Sequence, residues 1–187
     1  MMITLLSLQL APTEPILESV TLHQPDAEML HTHDLDESIL DLELGEWLPG
    51  AGIVVDYDTD RADRITVEMR YETSISVSLE GPHWDLTDFA HHTSPWLPAV
   101  EVDGLQLPAL TDDHHRQFPS VTSAQIEDAI TDYLGERADY TDRPTCETPW
   151  SAPCFVGVST VWLKVSAWRD GELVESRLIE APVPMGC

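Results

Sequence analysis

Residues 155–180 restrict the folds open to this chain more than any other segment. Two alternating stretches, 155–168 and 172–180, flank Asp170-Gly171. That dipeptide suits positive φ at both turn positions and so predicts a two-residue type I′ hairpin. Val161, Leu163, Val165 and Ala167 fall on one face, and Trp162, Lys164 and Trp168 on the other. Pairing Arg169 with Glu172 sets Trp168 against Leu173, Lys164 against Arg177 and Trp162 against Ile179. A period of two kept this long is the mark of a sheet whose two faces differ.

The same period recurs upstream. Residues 64–79 place Ile65, Val67, Met69, Ile75, Val77 and Leu79 on one side, with Thr66, Glu68, Arg70, Ser74, Ser76 and Ser78 on the other. Such a length predicts a bend or bulge near 71–73. With 53–57 and a polar loop at 58–63, this reads as a second hairpin. Residues 3–10, 16–22 and 38–44 are further strand candidates. Residues 45–52, with Trp47, Pro49 and glycines at both ends, read as a turn. Short strands at 99–102 and 105–107 flank Asp103-Gly104.

One helix stands out at 122–135. Thr122 and Gln125 have capping-box spacing, and Ile126, Ala129, Ile130, Tyr133 and Leu134 form a stripe. Gly135 occupies the C-terminal cap position. The expectation is therefore a β-rich α+β fold: one domain over 1–187, an antiparallel sheet or sandwich with one packed helix and a C-terminal hairpin. Residues 81–120 are punctuated by proline and hold Trp84, Trp96 and several histidines, which marks an irregular contact region.

Charge narrows the function classes. The chain has 34 acidic and 9 basic residues, for a formal net charge of −25. Spread over a sphere of roughly 20 Å radius, that charge carries a self-repulsion of about 19 kcal/mol at 0.15 M salt and about 8 kcal/mol at 1 M. The acids are dispersed from Glu14 to Glu180, and Lys164 is the sole lysine. This pattern fits adaptation to concentrated salt better than one docking patch. It excludes nucleic acid as a direct partner, because phosphates are repelled and basic clusters are missing. No apolar run reaches the roughly 20 residues that span a bilayer. The apolar start, 1–10, has no preceding Lys or Arg and no small-residue cleavage pattern, so it reads as a strand rather than an export signal. Cys146, Cys154 and Cys187 make an odd count, which argues for free thiols over a disulfide.

Residues that carry chemistry are sparse. Asp56, Asp58, Asp60 and Asp63 alternate in a manner that suits Ca²⁺ or another hard cation. However, Arg61 stands where an EF-hand turn needs Gly and Val67 where it needs Glu. A solvated acidic turn is the simpler reading, and no cofactor is expected. His31 and His33 share a strand face, and His91-His92 and His114-His115 are adjacent pairs, more consistent with loop positions than with a transition-metal site. Ser159 lies within a strand pattern and lacks the second Gly of a nucleophile elbow.

The expectation is a non-enzymatic structural or assembly protein, best a virion component (capsid, neck or tail), located in the virion or cytoplasm of a salt-adapted host. It joins protein subunits as a homo- or hetero-oligomer through Trp84, Trp96, Trp162 and Trp168. The alternative is an acidic inhibitor or immunity protein that binds a basic toxin or nuclease.

Overall fold

The computed structural model describes residues 14–24, 30–78, 83–135 and 145–184. The strand expected at 3–10, together with Cys187 and Leu79, lies outside them. Two antiparallel five-stranded sheets face each other. The first contains β1 (Leu17–His23), β2 (Leu30–Asp34), β3 (Gly52–Tyr57), β7 (Val100–Glu101) and β8 (Leu105–Gln106), in the order β2-β1-β3-β8-β7. The second contains β4 (Arg64–Ser78), β5 (His83–Thr93), β6 (Leu97–Pro98), β9 (Cys154–Arg169) and β10 (Glu172–Pro182). Its order is β10-β9-β4-β5, and β6 also pairs with β4.

Period-two alternation fills the space between the sheets. Leu17, Val20, Leu22 and Ile53 from the first meet Val67, Met69, Tyr71, Val161, Leu163, Val165 and Ile179 from the second in one buried core. β4 and β9 outrun the first sheet. Their far ends carry a second core, in which Ile75, Val77, Val156 and Cys154 pack with Trp84 and Leu86 of β5. Helix α2 (Ser123–Leu134) covers it with Ile126, Ile130 and Leu134. Thr122 and Gln125 form the capping box that starts this helix, and Gly135, at φ 54°, ends it. A short helix, α1 (Asp112–His115), precedes it.

Several expectations are corrected. Residues 53–57 and 64–78 do not form a hairpin, because the loop 58–63 arches from one sheet to the other. Asp58 N–H donates to the carbonyl of Ile16, and Asp63 N–H to that of Trp168, which draws the two ends of the loop to different sheets. Residues 38–44 are not a strand. Ile39 makes a single parallel bridge to Glu180 while remaining 54% exposed, and Leu40 alone of its immediate neighbours is fully buried. Residues 81–120 are more regular than expected: β5 to β8 lie there, and β6 to β8 carry the chain from the second sheet to the first. Cys146 and Cys154 are joined in a disulfide rather than free, their Cα atoms 5.8 Å apart. The turn that closes the bridge is held by Ser151 N–H on the Thr148 carbonyl and Cys154 N–H on the Ser151 carbonyl.

The C-terminal hairpin forms as expected, with Asp170 and Gly171 at φ 53° and 83°. Its register departs from the simple reading. A bulge at Val174 displaces β10 by one residue, so Lys164 lies opposite Leu178 and Trp162 opposite Glu180, not Arg177 and Ile179. The irregularity anticipated near 71–73 is also present: pairing of β4 with β9 slips between Glu72 and Thr73, where Ser159 is the extra residue.

Candidate interaction face

The two sheets turn very different surfaces outward. On the first, cross-strand neighbours include Thr32, Thr21 and Val54, then Asp34, Ser19 and Asp56. Among the described residues, Val54 and, at the edge, Val100 are the apolar side chains exposed on that surface. On the second sheet the register builds five rows across β10, β9 and β4. They run Leu173–Trp168–Arg64, Ser176–Ser166–Thr66, Leu178–Lys164–Glu68, Glu180–Trp162–Arg70 and Pro182–Thr160–Glu72. Pro98 extends the third row and Thr93 the last. Because α2 packs on the opposite side of β4 and β9, it leaves this face open.

The bulge at Val174 matters here. It turns Leu178 and Glu180 onto the outer face and Ile179 and Ala181 into the core, where both are fully buried. Leu173 and Leu178 then stand 54% and 51% exposed beside the tryptophans. Trp96 arrives from the β5–β6 connection. Tyr71 N–H donates to Ser94 Oγ, Ser94 N–H to the Tyr71 carbonyl, and Ala99 N–H to the Val67 carbonyl, which holds this segment alongside β4.

Cations occupy the tryptophan faces. The Arg70 guanidinium lies 4.6 Å from the Trp162 ring centroid and 4.9 Å from that of Trp96. Lys164 Nζ is 4.8 Å from Trp96, and the Arg64 guanidinium 4.9 Å from Trp168. These distances fall within the range in which a ring quadrupole attracts a cation. The indole N–H groups are also engaged: Trp168 donates to Thr66 Oγ1 at 2.9 Å and Trp162 to Glu180 Oε2 at 3.3 Å. The rings are thus fixed in orientation while remaining partly exposed.

The carboxylates on this face are engaged by groups other than the two arginines. Glu68 pairs with Lys164, Glu180 accepts from Trp162, and Glu72 accepts from Ser159 and Thr93. Among the described residues neither Arg64 nor Arg70 has an ion pair or hydrogen bond, and Arg70 Nε is buried without a partner. Arg61, Arg169 and Arg177, by contrast, each lie against a carboxylate. In a chain with nearly four acids per base, two unpaired guanidinium groups on one face are a distinctive feature.

Trp96, Trp162 and Trp168 therefore come together, as parts of one surface. Trp84 does not join them; it is only 6% exposed and belongs to the second core. The arginines and Lys164 are the functional candidates that the sequence reading passed over. The signal for them was there: Arg64, Glu68 and Arg70 alternate with Ile65, Val67 and Met69, so period two alone puts them on the outer face.

The other candidates are dispersed. Asp56 is exposed on β3. Asp58 Oδ1 accepts from Asp60 N–H at 2.9 Å, and Asp63 Oδ2 from Asp170 N–H at 2.8 Å. The Asp60 carbonyl accepts from Arg169. These groups fasten the loop to the hairpin turn. Among the described residues no three His, Cys, Asp or Glu side chains are arranged to hold a metal ion. His33 contacts the Glu37 carbonyl at 3.0 Å, and His31 Nδ1 lies 3.9 Å from Glu46. His92 and His114 pack near Tyr71, whose phenol burial pushes above its ordinary value. Among the described residues no helix is long and apolar enough to cross a membrane.

Comparison with protein-family models, with curated proteins and with solved structures finds no match to this chain.

Proposed function

We propose that this chain is a non-enzymatic assembly subunit, adapted to high salt and best placed as a capsid, neck or tail component of a virus of a salt-adapted host. The observation that carries the reading is the open outer face of the second sheet, where three tryptophans and three of the nine basic residues gather. Trp and Arg are the residues that dominate protein–protein contacts. Trp162, Trp168, Arg64 and Arg70 sit here on paired strands, and Trp96 on a segment hydrogen-bonded along β4, so docking costs little ordering.

The face spans four strands and five rows, roughly 19 Å by 27 Å from ordinary sheet spacings. That is about 500 Å², below the roughly 800 Å² per partner of a standard stable interface. A contact of this size is weak by itself and is reinforced when each subunit makes several, as in a particle or tube.

A second reading, an acidic inhibitor of a basic toxin or nuclease, draws on a different feature. A cavity of about 420 Å³ between β5 and α2 is lined by Asp85, Asp88, Asp132 and the exposed Tyr133.

Salt separates the two. Light scattering behind size exclusion between about 0.15 M and 3 M KCl is the test. Oligomers that persist or strengthen in molar KCl support assembly. A monomer at every salt concentration, capturing one basic protein in a 1:1 complex that salt dissolves, overturns it.

A further inference from the structure

The charges of this face select its partner. Arg64 and Arg70 hold their tryptophan rings and no carboxylate, although Glu68 and Glu72 flank Arg70 on the same face of β4 and Glu180 stands in its row on β10, beyond Trp162. With three cations and three carboxylates in its rows, this face is near neutral on a body whose formal charge is −25, and its two guanidinium groups are not ion-paired among the described residues. A guanidinium stacked on an aromatic ring keeps its planar donor fork free for a carboxylate. A basic partner would find few free carboxylates on this face and many elsewhere. An acidic partner finds here the chain's one described cluster of cations, next to exposed Leu173 and Leu178.

The chain itself is such a partner. On the opposite side of the second sheet, α2 presents Glu127, Asp128 and Asp132 outward, and Tyr133, 55% exposed, lines the cavity against β5 with Asp132. The helix side is acidic and the tryptophan–arginine face near neutral with unpaired guanidinium groups, and the two lie on opposite sides of the second sheet, α2 at the far ends of β4 and β9. A contact between unlike surfaces placed this way does not close as a two-fold dimer; it repeats.

From this arrangement, and resting on the assembly reading above, we infer that a second copy of this chain occupies the tryptophan–arginine face, setting the acidic side of its α2 against Arg64 and Arg70 in a head-to-tail contact. Salt acts on it in a specific way. Two bodies of this charge repel over the whole surface, and screening from about 0.15 M to 1 M relieves most of that repulsion. The local guanidinium–carboxylate and Trp contacts lose less, being short-ranged. Self-association accordingly tightens on the order of a hundredfold over that range.

Sedimentation velocity on the full chain at about 1 M KCl tests this directly. Wild-type protein grows past dimer as concentration rises. Arg64→Glu/Arg70→Glu and Asp128→Lys/Asp132→Lys each weaken association by about tenfold or more. Mixed 1:1, the two variants recover association, because the unaltered α2 of the first meets the unaltered face of the second and the two reversed surfaces are again opposite in charge. Arg64→Gln/Arg70→Gln, with unchanged circular dichroism and urea midpoint, separates loss of contact from loss of fold. A wild-type monomer at all concentrations, or a mixture that fails to associate, overturns the second copy as occupant while leaving the face to a different subunit. Oligomers that persist unchanged in the arginine variants overturn the assembly role of the face as well.

Discussion

Shortening Ile126 to Ala tests whether the second core governs the fold. The side chain is fully buried, in the stripe with Ile130 and Leu134 that sits on Ile75, Val77, Trp84, Leu86 and Val156. Ile→Ala removes three carbons, worth about 2.4 kcal/mol in transfer at about 0.8 kcal/mol each. The cavity left behind adds to this, and buried Ile→Ala changes cost about 2–5 kcal/mol in all. Alanine's better helix propensity returns about 0.4 kcal/mol. The net expectation is a loss of about 2–4 kcal/mol. With a urea slope of about 1–3 kcal/mol per M, the midpoint falls by about 1 M or more. Asp128→Ala, exposed on the same helix, shifts it by less than about 0.5 kcal/mol. Because β4 and β9 run through both cores, the transition in Ile126→Ala remains single. Urea titration at fixed KCl, followed by tryptophan fluorescence and far-ultraviolet circular dichroism, reads both quantities. A loss under about 1 kcal/mol, or two separated transitions, refutes the argument that α2 closes a core continuous with the sandwich.

Other expectations follow from particular groups. Burial raises the Tyr71 phenol above 10.0, so between pH 10 and its folded value the unfolded chain releases a proton that the folded chain keeps. Stability therefore falls as pH rises through that window, and Tyr71→Phe shows a shallower fall in melting temperature; equal slopes contradict this. Replacing both Cys146 and Cys154 by Ser opens a loop with a sequence separation of 8 and lowers stability by about 2.5 kcal/mol, measured against wild type under non-reducing conditions. Raising KCl from about 0.15 M to 1 M stabilises the chain by up to about 10 kcal/mol, less whatever repulsion the unfolded chain retains. A flat urea midpoint across that range argues against the charge account. A double-mutant cycle on Arg70 and Trp162 yields a coupling of about 0.5–1 kcal/mol that survives 1 M salt, unlike a surface ion pair.

What could be read directly from residue order was local. The hairpin turn at Asp170-Gly171 and the capped helix beginning at Thr122 each depend on a few adjacent residues, and both stand where expected. The partition into two sheets depends on distant partners. Nothing within 58–63 states that Asp58 N–H will reach Ile16 and Asp63 N–H Trp168, so an arch and a hairpin look alike. Nor does Val174 announce its bulge; the gain comes from placing Ile179 and Ala181 in the core. In 38–44, alternation of leucine with acid suggested a strand, but the β10 edge accepts only one bridge there. The convergence of Trp96 with Trp162 required the pairing of β6 with β4, a tertiary event. Trp84 looked like its companions in sequence and differs because α2 covers it.

The outer face of the second sheet is the proposed place where subunits join. Hydroxyl-radical footprinting of the intact chain in molar KCl, dilute and then concentrated, reads each tryptophan separately. Trp96, Trp162 and Trp168 become protected together as concentration rises, while Trp150, 49% exposed and on no strand of that sheet, keeps its reactivity. Unchanged reactivity of those three in an assembled sample, or protection confined to Trp150, contradicts it.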